Sequence, residues 1–432
     1  MCILFIKYNF YLHHLIIEKS INQIFNLFLY KIKDMLTNRQ LFTLNLACPA
    51  ATPMALEIVR AEGIYMFDDK GKRYVDLVSG VAVNNIGHRH PKVIEAIKDQ
   101  LDQYLHLMVY GEYIQSPQVQ LAKLLTDNLP VSLNSVYLVN SGSEAIEGAL
   151  KLAKRVTNRS RIFSFKNAYH GSTHGALSVL GNEELKNAYR PLLPDVHFLN
   201  FNNEDDLERI SNQTACVLVE PIQAEAGIIL PENNYLKKLK DRCIETGALL
   251  IFDEVQMAFG RTGKLFSFEN FDVIPDIICL AKGMGGGMPI GAFIASREMM
   301  NTLTNKPELG HITTFGGHPV CAAAGLASLK VIIEEKLAES ANAKGELFKK
   351  NLTGLPGINH IRGMGLMLAI EVETQDLNNI IINQLLDKGL IVDRFLFNQN
   401  AFRIAPPLTI TEDQIEEISA NVAQCIIDAN QR

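Results

Sequence analysis

From about residue 135 the chain alternates short apolar runs with amphipathic stretches of helical length. The runs are Val136–Val139, Arg161–Phe165, Val196–Leu199, Cys216–Val219, Leu249–Phe252, Ile277–Leu280 and Gly291–Ala295. Runs this uniformly apolar read as strands buried on both faces, and the stretches between them as crossover helices. The pattern therefore predicts a large α/β domain built on a mostly parallel, seven-stranded sheet. A long helix rich in small residues is expected over Pro319–Lys336. After residue 338 the order becomes helix, strand, helix, strand, with Leu366–Glu373 a strand and Thr411–Asp428 a closing helix. That is the pattern of a smaller α+β domain. No repeat of 20 to 50 residues and no low-complexity linker is found.

The first 34 residues are of another kind, crowded with Ile, Phe, Tyr, Asn, Lys and Leu. Charged residues break their apolar stretches well short of a membrane span, and the ordered parts of a signal peptide are missing. AT-rich codons encode these residue types, so translation is expected to start at Met35 and the preceding segment to be non-native or disordered. The expected organisation is then 1–34 as this extension, 35–95 as an N-terminal segment joining the small domain, 96–335 as the large domain and 336–432 as the small one.

A chain of 432 residues with 47% hydrophobic and 20% charged residues is long enough for two domains and ordinary for a globular protein. Its formal net charge of −6 gives no reason to expect nucleic acid or an anionic membrane as partner. Seven scattered cysteines, none in a CxxC pair, fit free thiols in a reducing cytoplasm.

The chemistry gathers where the strands end. Asn140-Ser141-Gly142-Ser143-Glu144 follows one strand and opens a helix, so its backbone N–H groups form a candidate phosphate cradle. Ser141 with Glu144 three residues later also reads as a plain capping box. Tyr169 in Ala168-Tyr169-His170-Gly171 can stack on a flat ring or serve as a core aromatic. His170 and His174 stand four apart without the accompanying ligands of a metal site, and no metal is expected. Glu220 and Glu225 follow another strand, at the edge of an open α/β sheet where ligands bind. Asp253 ends the run Leu249-Leu250-Ile251-Phe252, and a buried acid there requires a cationic partner. Lys282 follows Ile277-Ile278-Cys279-Leu280-Ala281 and precedes Gly283-Met284-Gly285-Gly286-Gly287, leaving a flat cofactor room to approach its amine. Lysine, buried acid, phosphate cradle and stacking aromatic are together what pyridoxal phosphate chemistry needs. Neither GxxxxGK[ST] nor a well-placed GxGxxG occurs, so nucleotide-dependent readings lose support.

Taken in order, Ser141-Gly142-Ser143-Glu144-Ala145, Tyr169-His170-Gly171, Glu220-Pro221-Ile222-Gln223, Asp253-Glu254-Val255-Gln256, Gly260-Arg261-Thr262-Gly263, Ala281-Lys282-Gly283 and Thr314-Phe315-Gly316-Gly317 closely resemble the class III aminotransferases of pyridoxal-phosphate fold type I. The likeness runs from about residue 50 to the C-terminus and includes Gly87-His88-Arg89-His90-Pro91 and Arg403-Ile404-Ala405-Pro406-Pro407. It implies pyridoxal 5'-phosphate as cofactor, Lys282 as the lysine that carries it and Asp253 as the partner of its ring nitrogen. Gly142 and Ser143 would hold the phosphate, with Glu220 also lining the cofactor site. Tyr169 and Val255 would cover the two ring faces, and Gln256 would reach the ring oxygen. Thr314 would contact the phosphate bound by a neighbouring subunit, which implies a homodimer with shared sites. Arg403 would grip a substrate carboxylate, with Glu225 pairing it when the substrate end is uncharged or cationic, and Val81 would lie in the substrate pocket.

The implied reaction moves an amino group from an ω-amino donor, such as acetylornithine, ornithine or 4-aminobutyrate, to a 2-oxo acid, with 2-oxoglutarate expected, in a ping-pong sequence. Three departures bear on the donor. Ser172 stands where glutamate-using relatives often have Arg, His318 where Asn is common, and Val81 where ornithine enzymes have Tyr. They shift the expectation from ornithine or acetylornithine toward ω-amines of the 4-aminobutyrate kind, with Arg190 a candidate for the missing clamp. An aminomutase or racemase of the same fold, or a silent cofactor-binding regulator, are the alternatives.

Overall fold

A computed structural model describes residues 36–109 and 111–431. The expectation for residues 1–34 lies outside the described residues. The chain forms two compact units. Among the described residues the smaller comprises 36–59 and 68–71, and the larger 60–67 and 72–431. In the smaller unit the helix Asn38–Asn45 begins at a reciprocal cap, Thr37 accepting from the Gln40 N–H while Gln40 accepts from the Thr37 N–H. Asn38 Nδ2 donates to Glu57 Oε1 at 2.8 Å.

The larger unit is built on a seven-stranded sheet in the order Ser135–Val139, Gly291–Ala295, Ile277–Leu280, Leu249–Asp253, Thr214–Val219, Arg161–Phe165 and Val196–Leu199. All seven strands stand where the apolar runs predict them. Gly291–Ala295 is antiparallel to both neighbours, and the remaining pairs are parallel. The inner strands are largely apolar because each side meets a core. Val217, Val219, Leu250, Phe252, Ile278 and Leu280 face one layer. Cys216, Leu218, Ile251, Ile277, Cys279 and Phe293 face the other, with the helix Gly142–Thr157. Two-residue alternation splits each run between two cores.

That helix lies close to the sheet. A Cβ on Gly148 would come within 2.2 Å of the Phe293 ring, which is itself stacked on Tyr137 with centroids 4.8 Å apart. The expected long helix is observed as Pro319–Glu334, with proline in its first turn. Beyond it, Ile358–Met364, Met367–Val372, Ala401–Ile404 and Asp393–Arg394 form an antiparallel sheet, and Glu412–Asn430 closes the chain. Leu390 pairs in parallel with Val75, which ties the segment before residue 95 to the C-terminal part. No helix among the described residues is long and apolar enough to cross a membrane.

Phe293→Ala should lower unfolding stability by about 3–5 kcal/mol, the range for emptying an aromatic site that cannot collapse. The urea midpoint checks this; an unchanged midpoint would show that the helix is not seated on that ring.

Candidate active site

The parallel strands all deliver their C-terminal ends to one side of the sheet, and the polar residues of the sequence motifs sit there. Asp253 is the last residue of its strand, Glu220 follows Val219, and Ala281-Lys282 follow Leu280. Asn140 and Ser141 follow Val139, while Tyr169 and His170 lie just beyond Phe165. Together they line a cavity of about 450 Å³, completed by Gly142, Ser143, Gly171, Val255, Gln256 and the turn Gly287–Ile290.

One wall is the start of the helix Gly142–Thr157. Ser141 Oγ accepts from the Glu144 N–H at 3.2 Å. The Glu144 carboxylate does not complete the reciprocal box; it turns back to accept from Asn140 N and Asn140 Nδ2, both at 2.8 Å. Gly142 and Ser143, the first residues of the helix, line the cavity, and the first N–H groups of a helix have no partner within it. A Cβ on Gly142 would lie 2.9 Å from Val255, and one on Gly171 would lie 2.0 Å from Ser143 Oγ. Glycine is required at both, at Gly171 also because φ is +124°.

On the floor, Asp253 accepts from the Val255 N–H at 3.0 Å and from His170 Nδ1 at 2.7 Å. An acceptor-only carboxylate places the His170 proton on Nδ1, and buried Nε2 has no hydrogen-bond partner. The charge on Asp253 is thus met by a histidine 83 positions away. In the sequence His170 stands out only beside Tyr169 and as one of a histidine pair with His174, although a buried acid demanding a partner is the signal that points to it. The adjacent Glu254 faces the other way. Two backbone N–H groups, Ser267 at 2.6 Å and Phe268 at 2.7 Å, hold it, and burial pushes its carboxyl up to about 7.

Lys282 is half-buried and adopts a left-handed φ of 47° at the head of the turn Lys282–Gly285. Asn85 supports that turn from below, its Nδ2 donating to Phe259 O at 3.0 Å and lying 2.6 Å from where a Cβ on Gly283 would fall. Burial holds the Lys282 amine below the usual lysine range, against the opposing charges of Glu225, Asp253 and Glu220 and with the aid of Arg403. Glu220, buried and near Asp253 and Glu225, is raised well above an ordinary carboxyl group.

Beside the cavity, Arg403 is 1% exposed and meets Glu225, the partner expected from the sequence, together with Gln256. Its Nη1 donates to Gln256 Oε1 at 2.6 Å and its Nη2 to Glu225 Oε1 at 2.8 Å, while Gln256 Nε2 also donates to Glu225 at 3.2 Å. Gln256, expected to reach a ring oxygen, spends its amide on this pair. Burial acts to raise the Glu225 carboxyl, but Arg403, Gln256 and the Leu396 N–H outweigh it and leave the group below the usual range.

Of the expected site residues, Gly142, Ser143, Tyr169, Glu220, Asp253, Val255, Gln256 and Lys282 share the one cavity. Val81 stands at a left-handed φ of 63° beside it in sequence, and Val83 supplies the lining. Thr314 lies on an exposed loop outside the lining. Arg190 donates to Glu183 on an exposed turn and takes no part in the cavity wall. Asn140 and Ser141 of the candidate phosphate cradle also line the cavity, and Met288 and Ile290 line it without a ligand-binding signal in the sequence.

The donor set fits pyridoxal phosphate. Open N–H groups at a helix start suit a phosphate, a buried carboxylate suits a protonated ring nitrogen, and a depressed lysine amine suits covalent attachment to an aldehyde.

Comparison with known proteins agrees with this reading. The family model for class III aminotransferases matches residues 47–426, and the chain belongs to that family. It is accordingly a pyridoxal-phosphate-dependent transaminase. It is 40% identical to an acetylornithine aminotransferase of Methanopyrus kandleri over 85% of this chain and 94% of the relative. It is also 38% identical to a [LysW]-aminoadipate semialdehyde/glutamate semialdehyde transaminase of Sulfolobus acidocaldarius, over 84% and 93%. Among solved structures, the ornithine aminotransferase of Toxoplasma gondii superposes with a TM-score of 0.84 at 27% identity, covering 93% of this chain and 98% of that one. A transaminase from the marine bacterium Virgibacillus gives 0.86 at 27% identity, covering 91% and 99%.

Arg403→Met should cost about 3–5 kcal/mol at pH 8, because it leaves Glu225 buried and unpaired. In the parent, the Glu225 carboxyl is depressed, so the contribution of the pair is present above the ordinary carboxylate range and lost as pH falls through the lowered value. In the variant the carboxyl rises instead, and stability should partly recover on acidification. Denaturation series at several pH values check this, and equal stability of the two proteins at pH 8 would refute it.

Proposed function

We propose that the protein transfers the terminal amino group of an ω-amino acid to a 2-oxo acid in a ping-pong sequence, with acetylornithine as the first donor to test. The observation that carries this reading is the convergence of Lys282, Asp253 and an open helix N-terminus on one cavity. Pyridoxal phosphate, when bound, supplies an electron sink for the charge left on the substrate carbon that loses a proton. The N–H groups of Gly142 and Ser143 would hold its phosphate, and Asp253, steadied by His170, would pair with its ring nitrogen. Tyr169 and Val255 would cover the ring. Lys282 Nζ takes the proton from the amine-bearing carbon; burial lowers the affinity of this amine for protons, which favours the unprotonated form that acts as a base.

Arg403 and Glu225 answer the need for two unlike substrates. An ω-amine has no carboxylate at the reacting carbon, and the 2-oxo acid has one. Glu225 occupies the guanidinium in the first half-reaction and gives way to the acceptor's carboxylate in the second. The names of the relatives support acetylornithine. Ser172, whose hydroxyl bonds Tyr169 at 3.1 Å, supports 4-aminobutyrate as a second donor, because no guanidinium stands there to hold another carboxylate.

A homodimer with Thr314 reaching the neighbouring site is supported by exposed apolar residues around that loop, including Leu309, Ile312 and Phe315, with Ile114 95% exposed. The six described cysteines, all free, support a cytoplasmic location. The antiparallel sheet and its helices support 336–432 as a small domain joined by 35–95, with 96–335 as the large one.

Acetylornithine with 2-oxoglutarate should give glutamate, and Lys282→Ala should abolish both turnover and the visible band of the bound cofactor. A variant that kept both would refute the role of Lys282. Sedimentation should give twice the chain mass, and a monomer that retained full activity would refute the shared site.

A further inference from the structure

Arg403 faces more negative charge than its pairing with Glu225 requires. Asp393, on the strand Asp393–Arg394, stands directly opposite Arg403 in the antiparallel register. Its Oδ1 lies 3.4 Å from Arg403 Nε. Neither atom completes a hydrogen bond there or elsewhere, although both are shielded from solvent. The geometry of the guanidinium is held by other groups: Gln256 at 2.6 Å, Glu225 at 2.8 Å and the Phe395 ring, whose centroid is 4.7 Å away. Asp393 therefore adds charge to Arg403 without adding direction. The register fixes its backbone across from Arg403, so this charge stays when Glu225 moves aside.

From this arrangement, and resting on the reading that Arg403 receives the acceptor's carboxylate, we infer that Asp393 is a specificity-determining residue that weakens the hold of Arg403 on carboxylate ligands. With Glu225 displaced, Asp393 already neutralises the cation that an incoming carboxylate meets. A carboxylate at the reacting end is bound loosely and released readily, and substrates whose reacting end has no carboxylate compete for the site on better terms.

The charges facing Asp393 are Arg403 from the strand Ala401–Ile404, Glu225 from the loop after Thr214–Val219, and Asp76 at the end of Arg73–Asp76. Burial raises the Asp393 carboxyl to about 6, Arg403 opposing and the two acids assisting. Protonation below that value removes the competing charge, so carboxylate binding should tighten as pH falls through about 6.

The test is calorimetric titration of the holoenzyme with glutarate, which carries carboxylates and no transferable group. At about pH 8 Asp393→Asn should bind glutarate about tenfold more tightly than the parent, the scale of removing one nearby charge at a partly screened site. Asp393→Ala should do the same, and Asp393→Glu should bind as the parent does. On acidification the parent should approach the Asn variant, whose own affinity changes less. Arg403→Gln should abolish binding in either background. Unchanged or weaker binding by the Asn and Ala variants would overturn the inference, as would binding that survives Arg403→Gln or a complete absence of binding. Because glutarate undergoes no reaction, failure of the donor assay with the expected glutarate series would refute the proposed substrates and leave the role of Asp393 standing.

Discussion

Buried carboxylates have to be answered by cations or hydrogen-bond donors, and this site is organised around that requirement. Glu220, Glu225 and Asp253 are each 5% exposed, all at strand ends on one side of the sheet. Left alone they would be costly enough to protonate or to unfold the region. Arg403 pairs with Glu225, His170 Nδ1 donates to Asp253 and the Lys282 amine stands near all three, and each comes from a different part of the chain. Among the described residues no cation is bonded to Glu220, and burial raises its carboxyl well above the ordinary range.

The same requirement explains why the site is both ordered and reactive. A lysine surrounded by protein but left with access to the cavity is easier to deprotonate than a free one, and a carboxylate fixed by His170 and the Val255 N–H keeps its place on the floor. Arg403 differs from these. It is shared among Glu225, Gln256 and Asp393, so none of them owns it, and a substrate carboxylate can enter the exchange. A cation with several competing partners is suited to a protein that must hold a carboxylate in one half of its cycle and not in the other.

Much of the fold was legible because its signals are local. Each strand of the seven-stranded sheet is a run of four to six residues, the inner ones buried on both faces, and such runs are visible without knowing their neighbours. The glycines at 142 and 171 were legible as places of close approach, and Lys282 as an amine among small residues. In contrast, the spacing of Ser141 and Glu144 matched a capping box, yet Glu144 bonds Asn140; two donors within reach of one carboxylate look alike in sequence. Asp253 and Glu254 are adjacent acids, and only strand alternation decides that the first faces the cavity while the second is held by Ser267 and Phe268.

The sequence by itself determined the class of sheet, the family to which the chain belongs and the set of residues able to do the chemistry, because apolar periodicity, glycine and ordered motifs are properties of neighbouring positions. The tertiary structure decided which of those residues answer one another. His170 meets Asp253 across 83 positions, Gln256 turns to Arg403 across 147, and Arg190 stays with Glu183 away from the cavity. Pairings over such distances depend on where strands lie in a sheet and which way their ends face, and no local pattern carries that information.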